Sequence, residues 1–413
     1  MDADAPPRKR KTHKKNLPRT SISLLPNELI IEILLKLPPE IVYKFQSVCS
    51  KWRSLTSTPY FIETHLNQQK VPAILFQENT GCSELEVFFM ENWTTRTSPK
   101  ITIVRPNCIS SESWKSYQTC LSYNGLIILK GSQNWFTDFV IYNPVNHEAV
   151  RILNPGGGDI YGMFFHPILR QYCILWGLFQ TKYVEFKMLN LGPKPKWKEI
   201  KFGGSSVSSY APLFPSLHIH DNLYWIAGYK NSPNCEEFIL ILDIIKEKFS
   251  SMGHPELACC RARGYDFSSH HKAMNLLKKD SSLSFIHFCR GEISHSISTI
   301  HIWILSDDVE KNWVKTHTIK EVELKSWVAV RGIAYANGEL LIHWDFVRFY
   351  VLNLEEGSIR IFGRNYRGCM RALDHFKSLV SLKDCKPEIK MEEEEEEDGL
   401  RRRTRVRKAV KYC

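Results

Sequence analysis

Leu25-Pro26-Asn27-Glu28-Leu29-Ile30-Ile31-Glu32-Ile33-Leu34-Leu35-Lys36-Leu37-Pro38 is the stretch on which the reading of the fold turns. At about 100° per residue, Leu29, Ile30, Ile31, Ile33, Leu34, Leu35 and Leu37 sweep an apolar arc of roughly 240°, broken only by Asn27. The polar face left over is narrow, made of Glu28, Glu32 and Lys36. A surface helix of a self-contained domain uses an apolar stripe of only about 100°, so one side of this helix faces its own module and another faces something else. Pro26 suits a first helical turn, and Pro38-Pro39 stops the helix. Pro39–Ser47 then offers Ile41, Val42 and Phe45 on one face. Lys51–Leu55 adds a short third segment with Trp52 and Leu55, ended before Pro59. The expectation is a three-helix unit within residues 21–66, near the size at which a single core no longer suffices without a partner.

The order of residues carries a resemblance. Leu25-Pro26-x-Glu28-Leu29-x3-Ile33-Leu34-x2-Leu37-Pro38, followed by Phe45, Val48-Cys49-x2-Trp52-Arg53-x-Leu55, Pro59, Phe61 and His65, resembles an F-box of the large plant F-box families. The resemblance implies docking on a Skp-family adaptor and, through it, on a cullin–RING ubiquitin ligase. Carried over by position, the adaptor surface comprises Leu25, Pro26, Leu29, Ile33, Leu37, Pro38, Val48, Cys49 and Trp52. Pro39-Glu40-Ile41 departs from the commoner residues there, which touches one edge of that surface.

Length and composition fit a small helical head on a larger body. The chain has 413 residues, more than one small domain needs. Met1–Thr20 is polar and basic with no apolar secretory core, and no apolar run reaches the ~18 residues of a membrane span. The 12 cysteines form no CxxC pair and suit a reducing compartment. An intracellular protein, in the nucleus and/or cytoplasm, is expected. Of the net charge of +11, residues 1–20 carry +5 and residues 384–413 carry none, leaving a mildly basic body that gives little reason to expect a nucleic-acid surface. Residues 1–20 and 385–413 read as disordered charged tails, and their runs Arg8–Lys11 and Arg401–Lys408 have the composition of import signals or of solvated tails.

From 71 to 384 the chain changes to short β-branched and aromatic runs separated by Gly, Asn, Asp and Pro, an all-β pattern. One theme recurs: a polar turn, a strand, a loop, and a second strand ending in a polar turn. It is written in Asn124–Leu129 with Phe139–Pro144, in Asp221–Ile226 with Phe238–Asp243, in Leu283–Phe288 with Ile300–Leu305, and in Asn337–Ile342 with Phe349–Asn353. The wide gap after the first copy leaves room for another unit around Tyr172–Leu178 and Tyr183–Leu189. Periods near 50 residues mark kelch-like propeller blades, and the span allows six or seven. The same stretch resembles the F-box-associated domain of plant proteins through Asn124-Gly125-Leu126, Asn143-Pro144, Tyr161-Gly162-x-Phe164-x-His166-Pro167, Leu223-x-Trp225 and Trp313. His166 stands where that family usually has Asp. The fold class is therefore an α+β multidomain chain: a three-helix head, then an all-β propeller of six or seven kelch-like blades, with charged tails.

Catalytic motifs are missing: there is no GxSxG, HExxH, GxxxxGK[ST] or post-strand GxGxxG. Gly156-Gly157-Gly158 reads as an inter-strand turn. His218-x-His220 and His270-His271 lack a third ligand at short spacing, and Cys259-Cys260 is adjacent rather than spaced for chelation. No cofactor and no metal are expected. The function implied is a non-catalytic substrate adaptor, with Trp93, Trp135 and Phe136 as candidate exposed aromatics for a target protein. Two other classes fit parts of the sequence: a propeller scaffold outside any ligase, and a nuclear nucleic-acid binder acting through the basic tails.

Overall fold

A computed structural model describes residues 25–78, 85–106, 117–131, 138–179, 184–202, 216–226, 239–255, 274–290, 297–307, 311–324, 330–344, 347–366, 371–383 and 385. The head holds four helices: α1 (Asn27–Leu35), α2 (Pro39–Phe45), α3 (Ser50–Thr56) and α4 (Pro59–Asn67). The fourth is the difference from the sequence reading. Pro59, taken there as a stop, sits instead in the first turn of α4, where its missing N–H costs nothing, and the Thr58 hydroxyl accepts from Phe61 N at 3.3 Å as the helix cap.

Among the described residues, twenty-four strands follow in six four-stranded antiparallel sheets. The first blade holds β1 (Ala73–Phe76), β2 (Val87–Glu91) and β3 (Lys100–Val104). The second is β4 (Tyr117–Tyr123), β5 (Leu126–Gly131), β6 (Asp138–Tyr142) and β7 (Ala149–Leu153). The third is β8 (Asp159–His166), β9 (Gln171–Phe179), β10 (Val184–Leu191) and β11 (Trp197–Ile200), the unit expected in the wide gap. Then come β12 (Leu217–Ile219) to β13 (Asn222–Ile226), β14 (Ile239–Asp243) and β15 (Lys248–Met252). The fifth blade is β16 (Met274–Lys279), β17 (Ser282–Arg290), β18 (Ile297–Asp307) and β19 (Asn312–Leu324). The sixth is β20 (Val330–Ala336), β21 (Glu339–Trp344), β22 (Arg348–Asn353) and β23 (Ile359–Phe362). The last strand, β24 (Ala372–His375), returns to the first blade and pairs with β1, Ala73 opposite His375 and Phe76 opposite Ala372. The propeller has six blades, and the two ends of its chain close it.

The apolar runs follow from this packing. Each blade is covered on both sides, so its middle strands, such as β5 and β14, are apolar on both sides, while outer strands such as β7 and β15 alternate with exposed residues. In β5, Leu126 and Ile128 pack toward the third blade while Ile127 and Leu129 pack toward the first. Six such clusters link every neighbouring pair of blades round the ring. The repeated turns have a shared chemistry as well. Asn124-Gly125 and Asn337-Gly338 have positive φ at both positions, as tight hairpins of matching twist require. At the ends of the third strands, the side chains of Asn143, Asp243 and Asn353 accept backbone N–H groups of the turns that follow, at 2.8–3.0 Å. His166 serves a related purpose at the end of β8, accepting from Leu169 N at 3.4 Å, and burial lowers its pKa, which favours the neutral acceptor.

Candidate functional site

The helical head divides its apolar residues between two sides. Ile30 and Leu34 of α1, Val42 of α2 and Phe61 of α4 are buried, and they share one cluster with Val145 of the β6–β7 connection and Leu379 of the segment after β24. Tyr43 donates to Asn146 O at 3.3 Å across the same boundary. Within the head, His65 bonds Leu37 O at 2.8 Å, and the rings of Phe45 and Trp52 lie 5.4 Å apart. The inward side of α1 is therefore covered by the propeller as well as by the other helices.

The outward side is not. Leu29 is 46% exposed, Ile33 53%, Val48 61% and Leu25 38%. Leu29 and Ile33 are four apart on α1, which places them along one face of the helix, and Leu25 lies just before its start. Lys51 Nζ reaches Leu25 O at 3.4 Å, which ties the α3 end of the head to the start of this row. Cys49 caps α3, its Sγ accepting from Trp52 N at 3.5 Å. Of the nine residues carried over by position, Leu25, Pro26, Leu29, Ile33, Pro38, Val48 and Cys49 are exposed, and Leu37 and Trp52 are half-buried. Tyr60, 67% exposed, is a further apolar residue left open on the head that the sequence reading did not pick out, and Ile41, read there as sharing a face with Val42, is exposed while Val42 is buried.

The propeller has two unlike ends. In every blade an antiparallel meander starts at an innermost strand: β24, β4, β8, β12, β16 or β20. Connections from first to second strand and from third to fourth leave on the side of the head, as the contacts of Val145 and Asn146 show. These connections are short, such as 124–125, 220–221, 244–247 and 337–338. Connections from second to third strand and from blade to blade leave at the opposite end, and they include 105–116, 201–216, 227–238 and 253–273.

Trp93 does not belong to any open face. It is fully buried among Ile74, Phe88 and Phe362, its Nε1 donates to Pro72 O at 2.9 Å, and its carbonyl accepts from Arg360 at 2.6 Å. The indole fills the junction between first and sixth blades, which corrects the expectation of an exposed aromatic. Trp135 and Phe136 lie outside the described residues.

The other candidates separate in the same way. His218 lies in β12 with Nδ1 2.9 Å from the Tyr123 hydroxyl, while His220 occupies the turn beyond it at φ 50°, so the two imidazoles do not share a strand face. Burial pulls the His218 pKa down to about 4. Gly156–Gly158 forms the turn between β7 and β8. His270-His271 and Cys259-Cys260 lie outside the described residues. Among the described residues, no group of three or more His, Cys, Asp or Glu side chains is gathered where a metal ion could be held, and no helix is long and apolar enough to cross a membrane.

Two families match the chain: the F-box domain over residues 22–64 and the F-box associated beta propeller domain over residues 73–366. The Arabidopsis thaliana F-box protein At4g09190 is 25% identical over 347 residues, which cover 80% of each chain. At5g52610 of the same plant is 22% identical over 349 residues, covering 80% of this chain and 90% of the relative. Among solved structures, a chain of a nidogen/laminin complex is similar at a TM-score of 0.40 with 11% identity, covering 74% of this chain and 99% of that one.

Proposed function

We propose, from the premise that the chain belongs to the F-box-associated β-propeller family, that it is the target-recognition subunit of a Skp–cullin–F-box ubiquitin ligase. The observation that carries this reading is the open apolar side of the head. Leu29 and Ile33 stay in water although the propeller covers the opposite side of their helix, and Leu25 before it and Val48 between α2 and α3 are open as well. Taking such a side chain from full exposure to full burial contributes about 1.5–3 kcal/mol. Four that are half covered still offer an adaptor a substantial driving force.

The proposal is that the adaptor covers this face and that a target protein meets the opposite end of the propeller, where the longer connections gather. Binding both raises the local concentration of target lysines beside the conjugating enzyme. The subunit needs geometry for this and no nucleophile, and the transfer chemistry belongs to other subunits. The intracellular setting, nucleus and/or cytoplasm, belongs to the same proposal, with the basic run Arg8–Lys11 as its support.

The test is co-purification from plant cells of the full chain beside a Leu29→Ala, Ile33→Ala, Val48→Ala variant. The full chain is expected to bring down a Skp-type adaptor and a cullin, and the variant to lose both while keeping its unfolding midpoint. Failure of the full chain to retain any adaptor would remove the ligase reading and leave a propeller scaffold.

A further inference from the structure

The residues that follow the closing strand, 376–385, hold the propeller and the head at once. Toward the propeller, Asn143 Nδ2 donates to the carbonyls of Ser378 (3.1 Å) and Val380 (2.7 Å), and Asn146 Nδ2 donates to Val380 O at 3.0 Å. Glu148 Oε2 accepts from Leu382 N at 2.6 Å and from the Ser381 hydroxyl at 2.8 Å. The Ser378 hydroxyl donates to Asn124 O at 2.6 Å, against Gly125, where a Cβ would stand only 2.1 Å from that hydroxyl oxygen. Toward the head, Leu379 enters the cluster of Ile30, Leu34, Val42 and Phe61. Gln69 Nε2 donates to Lys377 O at 2.6 Å, and the Lys377 ammonium bridges Glu40 of α2 and Glu91 of β2.

We propose that this strap is the positioning element of the subunit: Lys377 and Leu379 fix the angle between head and propeller. Without them the head would keep the short connection 68–72, the packing of Ile62, the Gln69 bond to the Lys377 carbonyl and the contacts of Val145 and Asn146. A charge-assisted pair with two carboxylates sets direction as well as energy, and the Lys377 side chain is only 15% exposed, so water screens it little. Burial works against the ammonium, but the two carboxylates outweigh it and raise its pKa. Its consequence for ubiquitin transfer rests on the ligase reading above; the fixed angle itself does not. Effective concentration at the far end of a carrier is high only while the geometry is held.

The experiment places site-specific spin labels at Ser54 in α3 and Thr316 in β19 of the full chain and measures the distance distribution between them. One narrow peak is expected for the parent and for Lys377→Arg, and loss of that peak for Lys377→Ala with Leu379→Ala. A second pair on the head side, Glu40→Ala with Tyr43→Phe, leaves the Asn143 and Glu148 anchors intact and should also lose the peak, which guards against simple collapse of the propeller. A narrow peak surviving in both double variants, or a broad one in the parent, overturns the proposal. In a reconstituted ligase, transfer to an acceptor peptide inserted in the 227–238 connection should fall about tenfold per adaptor-bound molecule in both doubles. Undiminished transfer overturns the positioning role. A parent that binds no adaptor counts against the ligase reading only, since the distance measurement needs no adaptor.

Discussion

A blade and the head both expose two apolar sides when taken alone, and they resolve the problem differently. A blade meets an equivalent blade on each side, and the return of β24 to β1 means that no blade is left at an end. The head meets the propeller on one side only, through Ile30, Leu34, Val42 and Phe61, and keeps Leu29 and Ile33 in solvent. Closure therefore buries the faces between blades and leaves apolar residues of the body, such as Ile168 and Ile361, open only outside those junctions, whereas the head keeps one side of its own helix α1 open.

The largest expected effect breaks the closed half of this contrast. Trp93→Ala removes a fully buried indole at the junction where the ring closes and should cost about 3–5 kcal/mol in denaturant unfolding, which identifies the residue as packing rather than recognition. Next, Leu34→Ala should cost about 2–5 kcal/mol, because Leu34 is 1% exposed between head and propeller.

Acid should then weaken the propeller. The folded state holds His343 and His375 down to about 3 and His218 to about 4 by burial, so the unfolded chain takes up protons below its ordinary pKa near 6.5 that the folded chain refuses. Stability accordingly falls as pH drops from about 6.5. Asp374, which solvent reaches but whose crowded position desolvates it and pushes it up to about 6, acts in the opposite direction and offsets part of the loss. A net loss of roughly 2 kcal/mol is expected between pH 6.5 and 5.5 in urea titrations at each pH. A flat profile would show that these imidazoles are not held neutral.

The smallest effect sharpens the contrast most. Leu29→Ala, on the same helix as Leu34, should change stability by no more than about 0.5 kcal/mol while weakening adaptor binding about tenfold, read by calorimetry. Equal costs at Leu29 and Leu34 would mean that α1 has no open side.

The sequence exposed most of this arrangement because its signals are local. The paired runs became second and third strands of successive blades, and Asn124-Gly125 and Asn337-Gly338 became the hairpin turns they imply. The excess apolar arc of α1 was legible as an excess. Which side was spare was not, since Val145 and Leu379, which cover Ile30 and Leu34, lie more than a hundred residues away. Asn143-Pro144 shows the same limit. Its side-chain oxygen makes the local turn any reader would expect, while its amide holds the carbonyls of Ser378 and Val380. Trp93 was misplaced because an indole beside a turn looks alike in sequence whether it points to solvent or into a blade junction. The fourth helix was lost because a proline ends one helix and begins another with equal ease.

Closure by β24 also sets a timetable for synthesis. The ribosome releases α1 among the first residues, but the strand that completes the first blade and the leucine that helps cover Ile30 and Leu34 come more than three hundred residues later. At about 5–20 residues per second, the inward side of the head waits on the order of 20–70 s before Leu379 and the closing strand exist. A polypeptide broken off anywhere before His375 carries an unfinished first blade and a head that lacks Leu379, so the closing strand reports that the blades before it were made.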